Sequence, residues 1–133
     1  MGMYTEIFFR AEIDEEAAAV IQRLFDGDLS RLDWPDHEFF KAGRFQWIAT
    51  GGSWYFPHAN HTVIEQVHAM HEDPWFASFR ANIKNYDDEI AKFFDWVSPH
   101  VIHSDNHSEV FIGYSLYEEA SVPNLHYAKN PNV

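Results

Sequence analysis

The chain has no cysteine, and that absence excludes disulfides, thiolate nucleophiles and cysteine-ligated zinc or iron–sulfur centres. Basic residues are also scarce: nine Lys and Arg stand against 21 Asp and Glu, a formal charge of −12 over 133 residues. They fall singly, at Arg10, Arg23, Arg31, Lys41, Arg44, Arg80, Lys84, Lys92 and Lys129, so no basic cluster offsets repulsion from nucleic-acid phosphate or anionic lipid. No apolar run approaches the ~18 residues that would mark a membrane span. The first residues lack the basic region and apolar stretch of a signal peptide. We therefore expect a cytoplasmic protein with no membrane and no nucleic-acid partner.

What is present is core material, with 46% hydrophobic and 17% aromatic residues. That is too much for a disordered chain, and the length fits one domain, 1–133, able to bury roughly two thirds of its unfolded surface unaided. Residues 4–13 alternate, with Thr5, Ile7, Phe9, Ala11 and Ile13 on one side, the period of a half-buried strand. Asp14 then caps a helix in which Ala17, Val20, Ile21, Leu24 and Phe25 recur at helical spacing, and Gly27 supplies its stop. Residues 28–43 read as a long connection with one helical turn around 38–41, anchored by Phe39 and Phe40. Gly51-Gly52, set between the aromatic-rich runs 45–50 and 53–56, predicts a hairpin.

Segment 62–70 satisfies two patterns: Thr62-x-x-Glu65 fits a capping box, whereas β-branched Thr62, Val63 and Ile64 favour a strand. The alternation of Trp75, Ala77, Phe79, Ala81 and Ile83, reached through a turn at Glu72-Asp73-Pro74, tips the reading towards a strand in a hairpin. A second helix is expected over 86–97, capped by Asn85, with Asp87, Asp88 and Glu89 at the positive end of its dipole and Pro99 beyond its end. Its apolar stripe reads as Tyr86, Ile90, Phe93, Phe94 and Val97, with Trp96 at the edge. Strands over 110–117 and 124–128 complete the chain, and the tail beyond Lys129 is expected to fray. The predicted fold class is α+β: an antiparallel sheet of about five to seven strands with two helices packed on one face, in a layout that hints at the ferredoxin-like type.

Several short strings, in order along nearly the whole chain, carry a resemblance. They are Met3-Tyr4-Thr5-Glu6, Asp36-His37-Glu38-Phe39-Phe40, Trp54-Tyr55-Phe56, Lys84-Asn85-Tyr86-Asp87-x-Glu89-Ile90 and Gly113-Tyr114-x-x-Tyr117-Glu118-Glu119 with Pro123. In these the chain resembles a group of small uncharacterised proteins encoded in phage and prophage genomes of Gram-positive bacteria. The resemblance implies a phage accessory protein and brings no activity or catalytic residue with it. The histidines of 58–71 and 100–107 lie outside the shared strings.

Those histidines are the main candidate chemistry. Nine are present, with His-x-x-His spacing at His58/His61, His68/His71 and His100/His103, and with Asp105 and His107 close by. Imidazole and carboxylate suffice to hold zinc or another divalent ion. Against a metal site stand the lack of a His-Glu-x-x-His arrangement and the ordinary use of imidazole as a surface or hydrogen-bonding group. Asp87, Asp88 and Glu89 are explained by the helix start before any acid–base role is needed. Ser53 sits at the expected hairpin tip with no nucleophile elbow, and Gly51-Gly52 has no downstream Gly-Lys-Ser/Thr of a phosphate loop. No cofactor is expected.

By elimination the sequence points to a non-enzymatic protein that binds another protein through an acidic and aromatic surface, with self-association as one form of this. Two alternatives come from other classes: a histidine-using enzyme that binds a metal or small molecule, and an acidic mimic of nucleic acid. The charge generates a direct expectation: the purified protein should leave duplex DNA and RNA unshifted in a gel at physiological salt, and tight, salt-sensitive binding would contradict it.

Overall fold

Alternation in the first strand sets the layers. In the computed structural model, which describes residues 3–27, 33–56, 61–66, 74–103 and 106–133, β1 (Thr5–Ile13) buries Thr5, Ile7, Phe9, Ala11 and Ile13 on one side. Its antiparallel partner β3 (Trp75–Ile83) lays Ala77, Phe79 and Ala81 opposite Ala11, Phe9 and Ile7. On the other side of β1 runs β4 (Glu109–Tyr117), and β2 (His61–Gln66) and β5 (Asn124–Lys129) flank the sheet, all pairs antiparallel in the order β2-β3-β1-β4-β5. Helix α1 (Glu15–Asp26) joins β1 to β2, and α2 (Glu89–Val97) joins β3 to β4. The class is α+β, with a five-stranded antiparallel sheet and two α-helices among the described residues.

Both helices lie against the Phe9 face. Asp14 caps α1 through its carboxylate, which accepts the Ala17 N–H at 2.8 Å, and Gly27 ends it in the left-handed region at φ 70°. Ala17, Ile21 and Leu24 enter the core from α1, and Ile90, Phe93 and Val97 enter it from α2. Gly113 lets β4 approach β1: a Cβ there would lie 1.9 Å from the Phe8 carbonyl oxygen, so only glycine fits. At this point β4 carries a bulge between Phe111 and Gly113.

Four expectations are corrected. The predicted Gly51-Gly52 hairpin does not form: Phe45–Trp47 is a 3₁₀ turn and 51–56 an irregular loop. The aromatic run packs instead of pairing, since Phe45 lies edge-on to Trp34, Phe39 and Phe40. Gly51 is required by crowding, a Cβ there falling 2.5 Å from the Asn82 carbonyl oxygen. The second helix begins at Glu89 and not at 86. Asp88 is its N-cap at φ 55°, while Asn85 accepts the Ile90 N–H at 3.0 Å from one turn away. Tyr86 therefore leaves the stripe and stands 61% exposed, whereas Trp96 is buried. Finally, the tail does not fray at Lys129: Asn130 is buried and its N–H donates to the Ser108 carbonyl at 2.8 Å.

Other expectations hold. A 3₁₀ turn spans Glu38–Lys41 with Phe39 and Phe40 buried, and the 62–70 segment is a strand as far as Gln66, the rest lying outside the described residues. No helix among the described residues is long and apolar enough to cross a membrane.

Phe93 is fully buried and touches the rings of Phe9, Phe39, Phe79, Phe94 and Trp96. Phe93→Ala should cost about 3–5 kcal/mol in a denaturant titration. A loss under about 1 kcal/mol would mean that the ring is not the centre of the core.

Candidate functional site

The histidines do not assemble into a metal centre among the described residues, where no group of three or more His, Asp or Glu side chains has the required geometry. His58, His68, His71 and Asp105 lie outside the described residues. His61 is on β2, exposed, with Nε2 3.3 Å from the Ser78 hydroxyl. His100 is occupied: its Nδ1 sits 2.8 Å from Asp14, the α1 cap, and its carbonyl accepts the Asp14 N–H at 3.0 Å. His103 follows His100 with a buried Nε2 that has no hydrogen-bond partner, and the His107 carbonyl accepts from the Asn130 amide. The 100/103 pair thus serves α1 capping on one side only.

The acids at the start of α2 are structural. Asp87 accepts from Gly43 N–H at 3.2 Å and pairs with Lys92 at 3.3 Å. Glu89 is fully buried, and its carboxylate accepts the Arg44 N–H at 2.9 Å and the Asp87 N–H at 3.0 Å. A buried carboxylate needs such donors, and here they tie the 44–47 turn to the helix start.

Two places have the character of sites. One is the sheet face turned away from the helices. Strand register lines up one residue from each strand across it: His61, Arg80, Phe8, Tyr114 and Leu125. Phe8 stacks on Tyr114 with centroids 5.4 Å apart, and Phe111 meets Tyr127 at 5.8 Å. Val63, Leu125 and Tyr127 are exposed there. The charges this face presents balance, Glu12, Glu65 and Glu109 standing with Arg10, Arg80 and Lys129, while Glu6 is buried. The Tyr114 hydroxyl donates to Glu6 at 2.6 Å, and burial, followed by this carboxylate, pushes its pKa up to about 12.

The other is a cleft of about 460 Å³ between the start of α2 and the β4–β5 pair. Its wall carries Ser115, whose hydroxyl lies 3.0 Å from His126 Nε2, and the imidazole stacks on Phe94 with centroids 3.9 Å apart. Burial holds His126 below its ordinary pKa, so the ring is neutral at neutral pH. A hydroxyl beside a neutral imidazole is the beginning of a nucleophile–base pair, but among the described residues no carboxylate is recorded on the far nitrogen of His126. The sequence offered no signal for this pair, because Ser115 and His126 meet only through the β4–β5 register.

No protein-family model, curated protein or solved structure matches the chain.

The Tyr114 shift has a measurable sign. The fold favours the neutral phenol, so this contribution to stability is complete below the ordinary value of 10.0 and is lost as pH rises through about 12. A difference ultraviolet titration of the parent against Tyr114→Phe should show one phenol ionising well after the ordinary tyrosine range. Glu6→Gln should bring it down. A Tyr114 that ionises with an unshifted tyrosine would contradict the buried Glu6 contact.

Proposed function

We propose that this is a non-enzymatic, phage-type accessory protein of the cytoplasm that acts by binding protein through the open face of its sheet, and that the occupant which fits this face is a second copy of the chain. The observation that carries the reading is the aligned row His61, Arg80, Phe8, Tyr114, Leu125 on a sheet face over which no helix of the described residues lies. Aromatic anchors beside arginine are the composition of binding hot spots.

Charge argues for self-association. Two molecules of net charge −12 repel, and the approach is least unfavourable where charge is balanced, which is the open face. Five strands about 4.8 Å apart and up to nine residues long at ~3.3 Å each offer on the order of 600 Å². That is most of the ~800 Å² per partner of a standard interface.

The strand order supports the ferredoxin-like reading of the fold: β2-β3-β1-β4 with two crossing helices is the split βαβ arrangement, to which β5 adds an edge. In such a layout the face opposite the helices is the one left for partners.

Light scattering on the eluting protein tests the proposal. The parent chain should run as a dimer at micromolar concentration, and Leu125→Glu with Tyr127→Glu should make it monomeric with an unchanged melting temperature, since both side chains are about half exposed. A parent that stays monomeric at ~100 µM would refute self-association through this face, as would a double variant that still dimerises.

A further inference from the structure

The cleft between the start of α2 and the β4–β5 pair lies on the helix side of the sheet and is independent of the open-face reading. Asp88 is the one formally charged side chain in its lining, which holds neither Lys nor Arg. Although Asp88 is the N-cap of α2, its carboxylate makes no capping hydrogen bond and has no partner among the described residues. Other groups do that work: Asn85 accepts the Ile90 N–H and Glu89 accepts the Asp87 N–H, each at 3.0 Å. Asp87 and Glu89 also answer the positive end of the helix dipole. At φ 55° the backbone suits asparagine or glycine at least as well as aspartate, so neither turn nor helix needs an acid here.

The second observation is Thr5, on the sheet wall of the same cleft. It is 7% exposed, its hydroxyl has no hydrogen-bond partner among the described residues, and that oxygen is not one of the enclosed ones. Polar groups at such depth are normally paired, so an open hydroxyl on a cavity wall is a place for a ligand atom. The neighbouring His126 is neutral at neutral pH and fixed by its stack on Phe94, and it therefore adds no repulsion to a cation. Tyr86 and Tyr117 stand exposed on the lining, and Tyr86 already attracts one cation, the Arg44 guanidinium, 5.1 Å from its ring centroid and outside the lining. Even so, burial, then Glu119 and Glu118, raise the Tyr117 phenol above its ordinary pKa, which marks a negative field at this end of the cleft.

From these residues we propose that the cleft binds a small organic monocation, a protonated amine or quaternary ammonium on a short apolar body. Asp88 supplies the counter-charge, and the tyrosine rings attract the cation through their quadrupoles. Met3 and Ile90 give the body apolar contact, and the Thr5 hydroxyl accepts from an ammonium N–H. The volume, about 460 Å³, falls at the small end of the ~300–1,000 Å³ usual for ligand sites. An anion of the same size would have to sit beside an unpaired carboxylate with no Lys or Arg in the lining to hold it.

Isothermal titration of the full chain at physiological salt decides it. Phenethylamine and choline are the probes, and their neutral isosteres, 2-phenylethanol and 3,3-dimethylbutanol, are the comparison arms. At least one probe should bind about tenfold or more tighter than its isostere. Asp88→Asn keeps a residue suited to the left-handed turn, so it should melt close to the parent while weakening that probe about tenfold. Glu16→Gln, on the exposed side of α1, should bind as the parent does and measures diffuse attraction to the acidic surface. Preference for phenethylamine, weakened by Thr5→Val, assigns the amine; preference for choline assigns the quaternary ammonium. The proposal fails if neither probe binds at millimolar concentration or if the neutral isosteres bind as tightly. It fails equally if Asp88→Asn weakens binding no more than Glu16→Gln does.

Discussion

Everything on the helix side of the sheet is organised by one ring, Phe93. It meets Phe9 of β1, Phe79 of β3 and Phe39 of the 38–41 turn, most of them edge to face, the arrangement that aromatic quadrupoles favour. This explains why a segment with little regular structure is ordered. Trp34, Phe39, Phe40 and Phe45 have no sheet to join, so they pack on one another and on Trp96, and the backbone between 34 and 47 follows. His37 fastens the same segment from outside: Nδ1 accepts the Phe39 N–H, and Nε2 faces Asp95 of α2 at 2.9 Å. Covering the start of α2 in this way buries Glu89, whose carboxylate then takes the Arg44 and Asp87 amides as donors. The late helix start and the position of Arg44 are thus two results of one packing decision.

Much of the fold was legible because its signals are local. Period-two alternation marks β1 and β3, and Asp14 and Gly27 bracket α1, since each depends only on residues a few places apart. The misreadings also share a cause. Gly51-Gly52 looks like a hairpin turn because glycine permits one, but here the missing side chain makes room for the Asn82 carbonyl, a contact with a residue far along the chain. Tyr86 fits the stripe by spacing, yet Asp88 turns left-handed and moves the helix start past it. Sequence periodicity cannot show where a helix begins when a buried long-range carboxylate settles the matter.

Site residues were harder to read than elements. His-x-x-His spacing does not by itself bring two imidazoles together: His61 stands on a strand, its partner His58 lies outside the described residues, and His100 is taken up by Asp14. The row across the open face needs four strand registers before it exists, and no local pattern announces it.

Charge divides the surface into parts with different uses. The net −12 keeps most of the molecule hostile to anions and to its own copies. Against that background the balanced face is distinguished by contrast, not by strong attraction of its own. On the proposed dimer, balance would spare a second acidic chain the like-charge penalty at the open face, while the excess of carboxylates elsewhere would oppose other modes of self-contact.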